Sequence, residues 1–234
     1  MYIHHNMLHI YNNIDLYISP SIFLKDKVLE MGFKGNVVHL PNFVNTGSIE
    51  PSYTWNSRSI FYAGRLSPEK GLETLLNAVK GIDVNLKIIG DGSLKEALAC
   101  KVKNEGINNV EFLGYKNSGD LQNEIKGSMF GILPSECYEN SPLSVIETFA
   151  LGKPVIGARI GGIPELIKDG ETGLTFKAGN FSDLRGKIEL MLQEKNISTM
   201  GRNARKFVEK ELNPEKHYKN LMKIYEKALN KESK

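Results

Sequence analysis

"SIFYAGRLSPEKGLETLLNAVKGIDVNLKIIGDGS", residues 59–93, decides the fold. An apolar, β-rich run over 59–64 ends at Gly64. A turn carrying Arg65, Ser67 and Pro68 leads into a helical run over 70–81, and a second strand pattern covers 84–90. Strand, helix and strand joined by short loops make a right-handed βαβ unit of a parallel sheet. Within the turn, Ser67 suits a helix N-cap and Pro68 the first helical position, with Glu69 and Lys70 following. On its own this could be no more than a capped surface helix. In the functional reading, the planar fork of Arg65 and the point charge of Lys70 grip one diphosphate beside a helix N-terminus.

The same alternation continues outward. A helix from Ser93 to Glu105, a strand at 110–114, a polar helix at 118–127 and a strand at 129–135 follow. A helix at 142–151, a strand at 154–158, a short helix at 163–168, a strand at 173–176 and two or three closing helices complete the series. The expected architecture is α/β, a doubly wound, Rossmann-like parallel sheet. Upstream, "IDLYIS" (14–19) reads as a buried strand. Pro20 and Ser21 open a helix with Ile22, Phe23, Val28 and Leu29 on one face, and "NVVHL" (36–40) reads as a strand. The aperiodic stretch after Pro41 reads as a linker. Glycines stand where strands end, at Gly64, Gly90, Gly92 and Gly114, and Gly161 and Gly162 follow the strand at 154–158. In such sheets ligands lie at the carboxyl ends of strands, where small residues let the backbone approach a phosphate.

"SECYENSPLSVIETFALGKPVIG", residues 135–157, holds the sharper signal. Glu139 lies in a polar loop, Pro142 opens a helix, and Glu147 falls in the second turn of that otherwise apolar helix. Amides at Ser141, Leu143 and Ser144 would lack partners at the helix start and could receive an oxyanion. A carboxylate among Leu143, Val145, Ile146 and Phe149 is costly without partners, and vicinal ribose hydroxyls are natural ones. The pair first suggests an acid/base couple, but loop and helix give the two acids separate tasks.

Bulk properties exclude several classes. With 234 residues, 41% hydrophobic and 24% charged, the chain can build a core without staples. A net charge of +3 is too mild to argue for nucleic acid. Only two cysteines occur, Cys100 and Cys137, in no metal-ligand spacing, which points to a reducing cytoplasm. No run approaches the ~18 apolar residues of a membrane span, and the N-terminus lacks signal-peptide features. His4, His5 and His9 have no Cys or carboxylate company for a metal. Basic residues gather after Arg202, namely Arg205, Lys206, Lys210, Lys216, Lys219, Lys223, Lys227, Lys231 and Lys234. They form either a solvated helical face or one drawn weakly to an anionic membrane, peripheral at its inner face.

Taken together, "GRLSPEKG", "IIGDGS", the Glu139/Glu147 pair with seven residues between, and "LGKPVIGARIGGIPELIKDGETGLTF" resemble the glycosyltransferase family 4 catalytic domain of the GT-B fold. The resemblance runs collinearly over roughly residues 14–230. It implies that Arg65 and Lys70 bind the diphosphate of a UDP- or GDP-sugar and that Glu147 holds the ribose hydroxyls. It further implies that Glu139 contacts the donor sugar, that the backbone of Asn140, Ser141, Pro142 and Leu143 lines the sugar and phosphate site with Ser144 beside it, and that Gly64, Gly90, Asp91 and Gly92 shape the nucleotide pocket. The family often has Gly and an aromatic after the first Glu, where Asn140 and Ser141 stand here, so the donor sugar is left open. No Asp-x-Asp occurs, matching the family's retaining, metal-independent transfer with no cofactor beyond the donor itself.

The resemblance also divides the chain. Residues 1–45 correspond to the end of an N-terminal acceptor domain, 46–57 to the linker, 58–213 to the nucleotide-sugar domain, and 214–234 to a crossover helix and tail. Tyr218, Leu221, Met222, Tyr225 and Leu229 form one stripe on that last helix. It and the 14–40 unit would have no sheet to complete, so the expectation is half of a transferase, inactive or nearly so alone, acting on a cell-envelope or polysaccharide acceptor. The alternative is a stand-alone nucleotide-sugar-binding module that works with a separate acceptor-binding polypeptide. A sugar-nucleotide epimerase of the same fold is disfavoured by the joint motif pattern.

Overall fold

The computed structural model describes residues 14–193 and 195–230; the three N-terminal histidines, Lys231 and Lys234 lie outside them. Six parallel strands form the main sheet: β3 (Ser59–Ala63), β4 (Asn85–Ile89), β5 (Val110–Gly114), β6 (Gly131–Leu133), β7 (Val155–Ala158) and β8 (Gly173–Phe176). Their order is β5-β4-β3-β6-β7-β8. The chain therefore winds outward one way from β3 to β5, then returns to the middle and winds the other way. Helices α2 (Leu72–Val79), α3 (Lys95–Asn104), α4 (Ser118–Gly127), α5 (Leu143–Ala150), α6 (Ile163–Leu166), α7 (Phe181–Gln193) and α8 (Ile197–Glu211) cover the sheet. Strands buried on both faces read as continuous apolar runs, as Ile60, Phe61 and Tyr62 do; β4 is broken only at Lys87, which pairs with Glu124. The doubly wound α/β expectation holds.

At the centre, β3 and β6 meet through the Phe61–Gly131 pair. A Cβ on Gly131 would press into the Phe61 ring, so the bare glycine sets how closely the two halves approach. The helix expected from residue 70 begins later. Pro68–Lys70 make one 3-10 turn, Gly71 takes a left-handed conformation (φ 66°), and α2 starts at Leu72. Ser67 does not cap; its hydroxyl donates to Glu69 Oε1 at 2.6 Å.

The N-terminal unit is separate. β1 (Tyr17–Ser19) and β2 (Val37–His39) form their own parallel two-stranded sheet beside α1 (Ile22–Glu30). The expectation of a buried strand fails here. Ile18 is 46% exposed, α1 buries no residue, and Ile22 and Leu29 are open. Only two short strands pair, and nothing among the described residues covers their other sides. The stripe on α9 (Pro214–Leu229) is likewise open at Tyr218, Met222, Tyr225 and Leu229.

The stretch read as linker is firmly held. Ser52 N donates to Leu151 O, Ser198 Oγ to Tyr53 O, and the buried Lys153 Nζ to Thr54 O at 2.6 Å. Burial pushes that amine down to about 8. Arg205, counted with the basic face, is instead 8% exposed. Its guanidinium donates to the carbonyls of Thr46, Ile49 and Ala150, and its Nε pairs with Glu209 at 2.6 Å. Three convergent carbonyls suit a planar fork and not an ammonium. Arg205→Ala should lower unfolding free energy by about 3 kcal/mol, and Arg205→Lys should recover less than half of that. Urea denaturation checks this; a loss under about 1 kcal/mol for Arg205→Ala would contradict the assigned role.

Candidate donor-binding site

Where a doubly wound sheet reverses direction, neighbouring strands send their following loops apart and leave a crevice at their carboxyl ends. Here the reversal lies between β3 and β6, and both acid- and cation-bearing segments leave from it. Gly64 and Arg65 follow β3; Ser135 to Pro142 follow β6.

The β3 turn interlocks with the β4 turn. Gly64 N donates to Ile89 O, Leu66 N to Asp91 O, and Leu94 N to Leu66 O, at 2.9–3.0 Å. Gly90 sits at φ 142°, and a Cβ there would overlap the Gly64 carbonyl, so no other residue lets these two turns touch. Beneath them Tyr62 is buried, which pushes its phenol above the usual range; its hydroxyl donates to Arg65 O at 2.6 Å. That bond fixes the Arg65 backbone while the side chain stays exposed. Among the described residues nothing pairs with the Arg65 guanidinium.

A cleft of about 350 Å3 opens over these turns. Gly64, Arg65, Gly90, Asp91, Ser144 and Glu147 all line it, so β3, β4 and α5 bring six of the expected residues together. Tyr115, Lys116, Leu121, Ile125 and Thr148 line it too, and sequence reasoning missed them. A signal was available, since Gly114 ends β5 as Gly64 and Gly90 follow β3 and β4, and it stands at φ 67°. The volume suits a nucleoside. Asp91 is held below the usual carboxylate range by Lys95, 2.9 Å away, and by the Gly92 amide. Gly92 packs against Leu66 and does not line the cleft.

A smaller adjoining space of about 240 Å3 shares Gly64, Arg65 and Ser144 with the cleft, and adds Lys70, Glu139, Pro142 and Leu143. Lys70 Nζ lies 2.5 Å from Glu139 Oε1, and Ser135 Oγ donates to the same oxygen at 2.7 Å. The side chains are 21% and 16% exposed, so this is a half-buried pair. Lys70 is thus not free in this state, unlike Arg65. Helix α5 starts at Pro142 without a side-chain cap, and among the described residues the Leu143 and Ser144 amides have no acceptor. Asn140 and Ser141 face another crevice, of about 440 Å3, on the far side of the loop. That crevice is larger, but its cations are engaged, Lys168 with Glu171 and Lys216 with Glu211.

Glu147 corrects one expectation. It does not occupy a core position: the α5 face it shares with Ser144 and Thr148 opens to the cleft, while Val145, Ile146 and Phe149 turn inward. No group among the described residues pairs with it, and the cleft walls desolvate its carboxyl enough to raise it above the ordinary range. A raised folded-state value means the native state holds the proton more tightly than the unfolded chain. This group's favourable contribution is then present in acid and lost as pH rises through that value. Glu147→Gln should therefore raise the urea midpoint at neutral pH and leave it unchanged below about pH 4. A lower midpoint at neutral pH would contradict the assignment.

Known proteins resemble this chain in sequence and in fold. A family model described as glycosyl transferases group 1 matches residues 52–207. An uncharacterized glycosyltransferase of Methanocaldococcus jannaschii is 32% identical over 215 residues, 92% of this chain and 60% of the relative. The N-acetyl-alpha-D-glucosaminyl L-malate synthase of Bacillus anthracis is 31% identical over 160 residues, 68% of this chain and 41% of the relative. Among solved structures, sucrose-phosphate synthase from Thermosynechococcus elongatus shares the fold with a TM-score of 0.84 at 23% identity, over 93% of this chain and 59% of that one. HepE of Anabaena, solved in complex with UDP, gives 0.82 at 20% identity, over 91% and 64%. The chain thus spans between about two fifths and three fifths of these curated relatives' length. With the family model covering most of its length, the chain belongs to the glycosyl transferases group 1 family.

Proposed function

We propose that this chain binds a nucleoside-diphosphate sugar, UDP- or GDP-linked, as the donor half of a retaining, metal-independent glycosyltransferase. One observation carries the reading. A guanidinium, two helix-start amides and a carboxylate, none with a partner among the described residues, border the cleft and the space adjoining it at the strand reversal. The nucleoside occupies the 350 Å3 cleft and its ribose hydroxyls donate to Glu147. The diphosphate lies between Arg65 and the amides of Leu143 and Ser144. As it arrives it takes Lys70 from Glu139, which turns toward the sugar.

Breaking the anomeric C–O bond leaves new negative charge on the departing nucleoside diphosphate. Fixed donors already aimed there stabilise it without reorganising. Loss of one such donor typically costs about 3 kcal/mol, on the order of 100-fold in rate. Neither Glu139 nor Glu147 is a general base in this scheme, because the acceptor approaches from another domain. A cell-envelope or polysaccharide acceptor and a cytoplasmic setting belong to the proposal; two unpaired cysteines support the latter. No helix among the described residues is long and apolar enough to cross a membrane. The open faces of β1, α1 and α9 favour a second reading, a binding subunit that needs a separate acceptor-binding polypeptide.

Calorimetric titration with UDP, GDP and their common sugar conjugates tests the reading. The wild-type chain should bind one nucleotide class, Arg65→Ala should weaken it about tenfold or more, and Glu147→Ala should do likewise. If both variants bind as the wild type does, the site is wrongly assigned.

A further inference from the structure

The loop that would face the donor sugar is held from two sides: Lys70 and Ser135 hold Glu139 within the domain that carries it, and its neighbours are held from outside that domain. Residues 138–141 leave β6 without regular structure. Three of these four are gripped by the N-terminal unit or the segment just after it. Tyr138 packs on Phe23 of α1, ring centroids 4.9 Å apart. The Asn140 side-chain carbonyl accepts from Ser21 Oγ. Ser141 O accepts from Asn42 Nδ2 at 3.0 Å. The donor domain itself supplies one backbone bond, Gly162 N to Glu139 O at 2.7 Å, and a Cβ on Gly162 would overlap the Asn140 carbonyl.

Ser21 is the joint between the two parts. As N-cap of α1 its oxygen accepts from Leu24 N at 3.1 Å. A hydroxyl carries one proton; accepting that amide aims the proton outward, where Asn140 Oδ1 stands. The start of α1 is in turn fixed from the donor domain. Both oxygens of Glu165, on α6, accept its first amides, Ile22 N at 2.9 Å and Phe23 N at 2.7 Å. Charged acceptors on helix-start amides make stronger bonds than neutral ones. Yet β1, α1 and β2 share no strand with the main sheet, so this polar seam is a principal tie between the unit and the site.

We infer that Ser21 and Glu165 are positioning residues for the sugar end of the donor site. Glu165 docks α1, α1 aims Ser21, and Ser21 orients Asn140 and with it the Glu139 loop. The inference rests on the donor-site reading above. It gives the N-terminal unit a task beyond acceptor binding, because the unit's placement sets how well the sugar, as distinct from the nucleotide, is held.

Two measurements test it. Amide hydrogen exchange on the ligand-free chain should show faster exchange at Gly162, whose amide donates to Glu139 O, in Ser21→Ala and Glu165→Ala, with 146–150 of α5 unchanged. In calorimetry with UDP, GDP, UDP-glucose, UDP-N-acetylglucosamine and GDP-mannose, Ser21→Ala should weaken the preferred nucleotide sugar about tenfold, the effect of one ordinary hydrogen bond, and the bare nucleotide less than about twofold. Ser21→Thr, which keeps the hydroxyl, should restore both readouts. Equal losses for sugar conjugate and bare nucleotide, or unchanged exchange at Gly162, would overturn the inference. If the wild-type chain binds no nucleotide, the donor reading fails and this inference falls with it. Wild-type binding that Ser21→Ala leaves untouched sinks the positioning role alone.

Discussion

Everything at the site follows from the reversal of strand order between β3 and β6. A right-handed crossover can run either way across a parallel sheet, and where two runs start from the centre the loops at their carboxyl ends diverge. The Lys70–Glu139 pair spans that divergence, joining the turn after β3 to the loop after β6. Taking either partner away would leave a half-buried charge without compensation, whereas an incoming diphosphate gives Lys70 a new partner. The pair ties the two segments together, while the Arg65 guanidinium and the amides at the start of α5 have no partner among the described residues.

The site is accordingly polarised. If a nucleotide sugar binds as proposed, its nucleoside meets glycine turns and apolar walls that need no rearrangement. Contacts on the sugar side run through a salt bridge and a loop whose bonds go to another structural unit. The first part is rigid because Gly90 and Gly64 interlock; the second is adjustable because its bonds are side-chain bonds, individually modest. In the proposed site, then, one half would be set by the sheet and the other by how the N-terminal unit sits against it.

Much of this was legible in sequence. Apolar runs ending in glycine gave β3, β4 and β5, and the α4 bounds of 118–127 were found to the residue. Arg65, Glu147 and Gly90, singled out in the sequence, line one cleft. What was not legible depended on partners distant in the chain. Arg205 looks like a surface cation among lysines, and only the folded chain brings Thr46, Ile49 and Ala150 around it. Glu147 looked buried because its neighbours are apolar, but helical geometry puts it on the one face they leave open. Strand order is invisible to periodicity, so the residues after β5 that wall the cleft were missed. Ser21 read as a helix opener; its second bond, to Asn140, is 119 residues away in sequence.

The central claim is that a nucleoside diphosphate lies at the strand reversal. Amide chemical-shift mapping of the isotope-labelled chain during titration with UDP, and separately GDP, tests this most directly. The account predicts the largest shifts at Gly64 to Leu66 and at Leu143 and Ser144, with smaller ones near Tyr115. Shifts centred on the crevice of Asn140, Glu165 and Lys216, or none with either nucleotide, would contradict it.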